Sequence, residues 1–146
     1  HAWEGGYKEH VRQAMFITNH LYDLMLASGA LLNLPDDEFF TLSDAQTVIF
    51  LHDIEKPFVY GENVSEIIKD CLQSKEERKQ FRADMIEEFG FVLTPTMENA
   101  LKFVEGVRDD DYIPGERADQ PLAALCHAAD NLSARGMYNF RGVHLP

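Results

Sequence analysis

The chain has 146 residues, of which 45% are hydrophobic and 26% charged, and it carries a formal net charge of −12. This length fits one domain with a real core, and no apolar run approaches the ~18 residues of a membrane span. The acidic balance argues against binding a long nucleic acid, because such binding depends on Lys and Arg that neutralise phosphates. Small anions are not excluded, since a metal ion and a few local cations can hold one phosphate in an acidic protein.

The cysteine pattern bears on the compartment. Cys71 and Cys126 lack CxxC spacing and lie in apparently amphipathic segments. Buried thiols are therefore favoured over a disulfide, and together with the absence of a secretory segment this predicts a cytoplasmic location and no membrane association.

The first helix is predicted over about residues 8–32. Apolar residues recur there at helical spacing after a short irregular entry that contains Gly5-Gly6. The helix should end around Gly29, and it carries His10 in its first turn.

The second helix is predicted to follow a loop over residues 33–42. Ser43 and Gln46 have the spacing of a capping box. In such a box the side chain of each residue accepts a hydrogen bond from the free backbone N–H of the other residue. Pro57 cannot continue the helical hydrogen-bonding pattern, so the helix should end just before it. This helix would carry His52-Asp53.

Four further helices complete the prediction. The charge-rich segment KEERKQFRADMIEE predicts a solvated helix face with Phe81, Met85 and Phe89 directed inward. No segment predicts a strand, so the fold class is all-α, a single domain of about six helices. The starting signals and predicted ranges are Asn63 with Glu66 for 64–73, Ser74 with Glu77 for 75–89, Thr94-Pro95 for 95–105, and Pro121 for the last helix.

The adjacent pair His52-Asp53 is the main functional clue. The apolar run 48–51 precedes it, and a buried segment rarely ends in an imidazole and a carboxylate unless something pairs with them. A divalent metal is one such partner, and a solvated pair at a helix end is the alternative. Asp130 lies among alanines and leucines of the last helix. With His10 these residues form a mixed nitrogen and oxygen set suited to divalent transition metals.

The order H…HD…D resembles the HD superfamily of metal-dependent phosphohydrolases. Its flanking segments are closest in motif to the HD domain of bacterial 3′-to-5′ exoribonuclease-like proteins. The segments that carry the resemblance are HAWEGGYKEH, similar to the HHA-x-x-GGL-x-x-H entry, IFLHDIEKP, similar to LLHDIGK, and PLAALCHAADNLSAR, similar to the closing helix with its DN-L-x-A run.

The resemblance implies an HD-type helical fold, hydrolysis of a phosphate ester, and a metal site made by His10, His52, Asp53 and Asp130. Several HD enzymes with two metals carry additional histidines before the last aspartate. This chain has none between Asp53 and His127, which favours one divalent ion, either Mn, Fe, Ni, Co or Mg.

The resemblance also assigns roles around the metal. Asp53 would orient the attacking water, and Lys56, three residues later on the same helix face, would meet the substrate phosphate. Glu105 stands where relatives have a histidine. Its role is one of three alternatives: a metal ligand in place of the histidine, a group that carries a proton, or a solvated residue at a helix end. Arg135 is a second candidate for phosphate binding, and His1 is another if the glycine entry folds back.

The expected function is a metal-dependent phosphohydrolase, a nucleotidase or phosphodiesterase, acting on a nucleotide or another small phosphorylated substrate. The alternative is a catalytically weak or inactive module that binds metal and senses a nucleotide. It is motivated by Glu55, which stands where glycine is common, by Glu105 and by the missing histidines. His127 is either a support for the metal ligands or a packed core residue, His20 is expected to point elsewhere, and oligomerisation is left open.

Overall fold

A computed structural model describes residues 5–108, 111–115 and 117–137. This part of the chain contains no strand, and the all-α prediction is confirmed. Its seven α-helices are α1 Gly6–Ala27, α2 Leu42–Leu51, α3 Lys56–Tyr60, α4 Glu66–Asp70, α5 Lys75–Glu88, α6 Pro95–Phe103 and α7 Pro121–Asn131. Short 3-10 turns cover Leu31–Asn33 and Asp36–Glu38, and a π-helical turn covers Leu132–Gly136.

The first helix is close to its predicted extent. Gly5 has φ +75°, a conformation that glycine adopts without strain, and α1 begins at the next residue. The helix ends at Ala27, and Gly29 with φ +75° then turns the chain. His10 consequently lies in the second turn of α1 and not in the first.

The predicted cap of α2 is wrong by two residues. Thr41 caps the helix, and its side chain accepts a hydrogen bond from the Asp44 amide at 3.2 Å while the Asp44 carboxylate accepts from the Thr41 amide at 2.7 Å. Aspartate serves this purpose as well as the expected glutamine. Gln46 instead donates to Asn19 on α1 at 2.6 Å and ties the two helices together.

The end of α2 also differs from the prediction. The helix stops at Leu51, and residues 52–55 form turns before α3. Pro57 lies in the first turn of α3, where its missing N–H is not needed, so the proline helps to start a helix. The pair His52-Asp53 therefore lies at a helix-to-helix corner.

The later helices confirm three of the four predicted starts, since α7 also begins at Pro121. Ser74 with Glu77 forms the capping box of α5, and Thr94 caps α6 ahead of its proline. The start of α4 is different, because Ser65 is its cap and Asn63 is not. The helix is also much shorter than the predicted range of 64–73.

The apolar core lies between α1, α2, α6 and α7, which pack against one another. Cys126 is fully buried in this core, whereas Cys71 is exposed. The prediction of two buried thiols is therefore wrong for Cys71. Phe89, expected to face inward, is 62% exposed because α5 lies outside this core. Core residues include Ala14, Ile17, Val48, Ile49, Met97, Ala100, Phe103, Leu122 and Ala129.

Among the helices of the described residues, none combines the length and apolarity that crossing a bilayer requires.

Candidate metal centre

Four side chains from three parts of the chain meet at one point. His10 comes from α1, His52 and Asp53 from the corner after α2, and Asp130 from α7, and one ligand atom of each lies within 4.8 Å of the others. His10 Nε2 lies 3.1 Å from Asp130 Oδ1, and His52 Nε2 lies 3.2 Å from Asp53 Oδ2. The helix packing that forms the core thus creates the cluster.

The cluster is mostly shielded from solvent. His52 and Asp53 are each 2% exposed, and His10 is 6% exposed. The apolar residues of α2 carry the pair inward, as their run in the sequence indicates. Asp130 retains more exposure, so its side marks the direction from which solvent reaches the cluster.

Hydrogen bonds from the fold orient both imidazoles. His52 Nδ1 donates to the carbonyl of Ile49 at 2.6 Å. His10 Nδ1 lies 2.9 Å from Ser133 Oγ, and the Ser133 hydroxyl lies 3.1 Å from the His10 carbonyl, to which it donates. Since Nδ1 then carries the proton, Nε2 of each neutral ring presents its lone pair to the cluster.

The two signs of charge stabilise each other within the cluster. Burial lowers the pKa of His52, but the adjacent carboxylates of Asp130 and Asp53 outweigh burial and raise it to about 9. Burial raises the pKa of Asp130 and of Asp53, but the adjacent imidazoles of the two histidines outweigh burial and hold both pKa values well below their usual range. Both carboxylates are therefore ionised at neutral pH, as metal ligands must be.

The residues present fit a divalent metal. His52 Nε2 and Asp53 Oδ2 are buried, and neither has a hydrogen-bond partner of proper geometry among the described residues. Two imidazole nitrogens and two carboxylate oxygens suit Mn, Fe, Co, Ni and Zn. The cluster is thus able to hold a metal ion.

Lys56 lies beside this cluster. Its Nζ is 2.7 Å from Asp53 Oδ2, while its side chain is 43% exposed and lines a cavity of about 230 Å³. Burial lowers the pKa of Lys56, but the charge of Asp53 outweighs burial and raises it. The ammonium therefore stays charged at the point where the cluster meets solvent.

The other predicted site residues lie elsewhere. Glu105 is not part of the cluster; it follows α6, is 56% exposed at its side chain, and pairs with Lys75 at 3.4 Å and Arg108 at 3.9 Å. Arg135 is exposed in the π-helical turn and does not line the cavity beside Lys56. His1 lies outside the described residues.

The remaining histidines of the helices have structural contacts. His127 donates from Nδ1 to the carbonyl of Val104 at 2.7 Å and thereby joins α7 to the end of α6. His127 is not among the clustered groups, so of the two alternatives the structure favours a packing role for it. His20 bonds the carbonyl of Phe16 at 3.0 Å on the exposed side of α1 and points away from the cluster, as predicted.

Three further residues surround the cluster, and sequence reasoning gave none of them a place there. Ser133 holds His10, and its position three residues after Asp130 was a usable signal, because residues three apart share a helix face. Arg82 of α5 donates to the carbonyl of His52. Glu55 is 7% exposed, and its Oε2 has no hydrogen-bond partner within the described ranges.

No protein-family model, curated protein or solved structure matches this chain.

Proposed function

We propose that the protein is an HD-type metal-dependent phosphohydrolase that cleaves a phosphate ester of a nucleotide or another small phosphorylated substrate. The observation that carries the proposal is the convergence of His10, His52, Asp53 and Asp130 within 4.8 Å. The order of these residues in the chain is that of the HD motif. Their meeting in space supports reading that order as a site.

The four clustered residues would hold one divalent ion. Such an ion supplies Lewis acidity that activates water and polarises a phosphoryl oxygen. His10 and His52 would bind through Nε2, because their Nδ1 atoms are engaged with Ser133 and Ile49. Further histidines at the cluster would be needed to hold a second ion, and the described residues place none there.

Lys56 supplies the protein's own contribution to phosphate binding. Its ammonium lies next to Asp53 and faces a cavity, so it can contact a phosphate oxygen while the ester is held at the cluster. Negative charge that develops on the leaving oxygen is stabilised by such a fixed cation in a partly desolvated site. Asp53 holds Lys56 in place as well as serving the cluster.

A metal-binding nucleotide sensor without turnover is the second candidate. The buried carboxylate of Glu55 favours it, because this side chain lines the cavity beside Lys56 and repels an approaching phosphate when ionised. Both candidate functions use the same cluster and the same class of ligand. They differ only in whether the bound ligand is hydrolysed.

Metal analysis and hydrolysis by matched variants test the proposal. The purified protein is expected to contain close to one transition metal per chain and to hydrolyse at least one compound in a panel of nucleotides and generic phosphodiesters. His52→Ala and the isosteric Asp53→Asn should each reduce metal content and lower activity at least about 100-fold. His20→Ala, which removes an exposed histidine of α1, should change neither.

The outcomes distinguish the candidates. Metal without turnover across the panel would favour the sensor. A folded protein, verified by circular dichroism, that takes up no Mn, Fe, Co, Ni, Zn or Mg would contradict both. Equal losses in His20→Ala and His52→Ala would show that the effect is not specific to the cluster.

A further inference from the structure

A basic cleft lies next to the metal cluster. Two adjoining cavities of about 230 and 600 Å³ share five of their lining residues, among them Lys79 and Arg82. Seven of the 13 Lys and Arg residues of the chain line these cavities, against four of its 25 Asp and Glu residues. The seven cations are Lys56, Lys75, Arg78, Lys79, Arg82, Lys102 and Arg108.

Four of these cations belong to one face of α5. Lys75, Arg78, Lys79 and Arg82 follow one another at steps of three, one and three residues, the spacing that places side chains along a single helix face. The expectation of a solvated face agrees with the exposure of many residues of α5, but it does not describe the shape of the surface that the cations border. Its cations line a concave surface, whereas its acidic residues line neither cavity.

The cleft begins at the cluster itself. Lys56 contacts Asp53 and also lines the smaller cavity. Arg82 donates a hydrogen bond to the carbonyl of His52, which fixes α5 against the corner that carries two of the clustered residues. A ligand with one phosphate at the cluster can therefore extend into the cleft.

The cations of the cleft are under-neutralised. Glu105 is paired with both Lys75 and Arg108, at 3.4 and 3.9 Å, so one carboxylate serves two cations. Lys79 forms no ion pair with any residue in the described ranges. An anionic ligand would supply the missing negative charge.

We propose that this cleft binds the phosphate chain of the substrate, so that the substrate class is a nucleoside di- or triphosphate or a comparable oligophosphate ester. The inference rests on the proposed function for the position of the reacting phosphate. A single phosphate would occupy only the end near Lys56, whereas the larger cavity lies in the range of small-molecule sites. A long polyanion would extend onto the rest of a protein whose net charge is −12 and would be repelled there.

Calorimetric titration of the full chain with tripolyphosphate and with orthophosphate tests the inference without turnover and without added metal. Tripolyphosphate is expected to bind at least about tenfold more tightly, because it contacts several cations at once. Lys79→Gln should weaken tripolyphosphate binding roughly five- to tenfold and leave orthophosphate binding unchanged. The matched control Lys69→Gln removes a lysine of α4 that pairs with Glu66 at 3.4 Å and lines neither cavity, so it should have no effect.

Equal affinity for the two anions, or equal effects of Lys79→Gln and Lys69→Gln, would overturn the inference. So would an oligonucleotide that binds as tightly as tripolyphosphate and loses that affinity in Lys79→Gln, since the cleft would then be a nucleic-acid site. Binding of tripolyphosphate by a protein that hydrolyses nothing would leave the inference in place and remove the proposed enzymatic function.

Discussion

At the scale of single residues, the direction of each imidazole is fixed by a group outside the cluster. A backbone carbonyl fixes His52, and the hydroxyl of Ser133 fixes His10. The carbonyl cannot be removed by substitution, but the hydroxyl can. The four clustered residues were predictable because their order resembles a known motif, whereas Ser133 is a common residue whose role depends on where α1 crosses α7.

Gly106 shows a second constraint at this scale. Its φ is +99°, and a Cβ there would lie 3.2 Å from Cε1 of His127. We expect Gly106→Ala to lower the free energy of unfolding by about 1–3 kcal/mol, through backbone strain together with this contact, as measured by urea denaturation. Gly90→Ala, at φ +72° with no atom within 4 Å, isolates the strain alone and should cost less. Equal losses would show that the contact with His127 is unimportant.

The role expected of Glu105 was difficult to judge from the chain because ligation depends on distance, not on alignment to a motif. Its carboxylate lies after α6 and faces cations of the cleft. Glu105 stands where the motif that this chain resembles has a histidine, and it does not join the cluster. The resemblance alone was therefore not enough to assign its role.

At the scale of elements, capping signals located helix starts to within a few residues. Ser74 and Thr94 cap as expected, while Thr41 displaces the predicted Ser43 because an aspartate three residues later completes its box. The orientation of α5 was not predictable in this way. Its charge pattern has a cationic face, but only the packing of the helix against the corner after α2 shows what that face lines.

The π-helical turn at the end of α7 supplies the prediction for this scale. Ser133 in that turn is fully buried and bonded to His10. We expect Ser133→Ala to weaken metal binding about 10- to 100-fold while the ligands themselves remain, because outer contacts of ligating histidines have effects of this size. Competition with a chromogenic chelator measures the change. The control Ser28→Ala removes an exposed serine just after α1 that donates to the carbonyl of Met25, and metal affinity should be unchanged.

At the scale of the whole molecule, the cluster joins the beginning and the end of the described chain. Its residues come from α1, from the corner after α2 and from α7. A bound ion therefore cross-links helices that are distant in sequence. Ligand binding to the folded state raises stability by about 2.7 kcal/mol at a metal concentration 100 times the dissociation constant.

This stabilisation should grow with pH. In the metal-free protein the pKa of His52 is raised to about 9, so its protonated form stabilises the fold below the ordinary value of 6.5, and that contribution is lost as the pH rises toward 9. Metal must displace the same proton, so its affinity rises about tenfold per pH unit for each proton released. Calorimetric melting with fixed Mn²⁺ should show a larger increase in Tm at about pH 8 than at about pH 6. An increase that does not change with pH would contradict the assignment of His52 as a ligand.

The placement of the cations also determines how a ligand first meets the protein. Seven of the 13 basic residues line one cleft, so negative charge exceeds positive charge over the rest of the chain. At very low ionic strength the net charge of −12 repels an approaching anion from every direction, whereas at physiological ionic strength repulsion is screened beyond about 8 Å. The attraction of the cleft acts within that distance. We therefore expect the encounter rate of a small anion to pass through a maximum as salt is increased, unlike that of a uniformly basic protein, for which added salt only slows association.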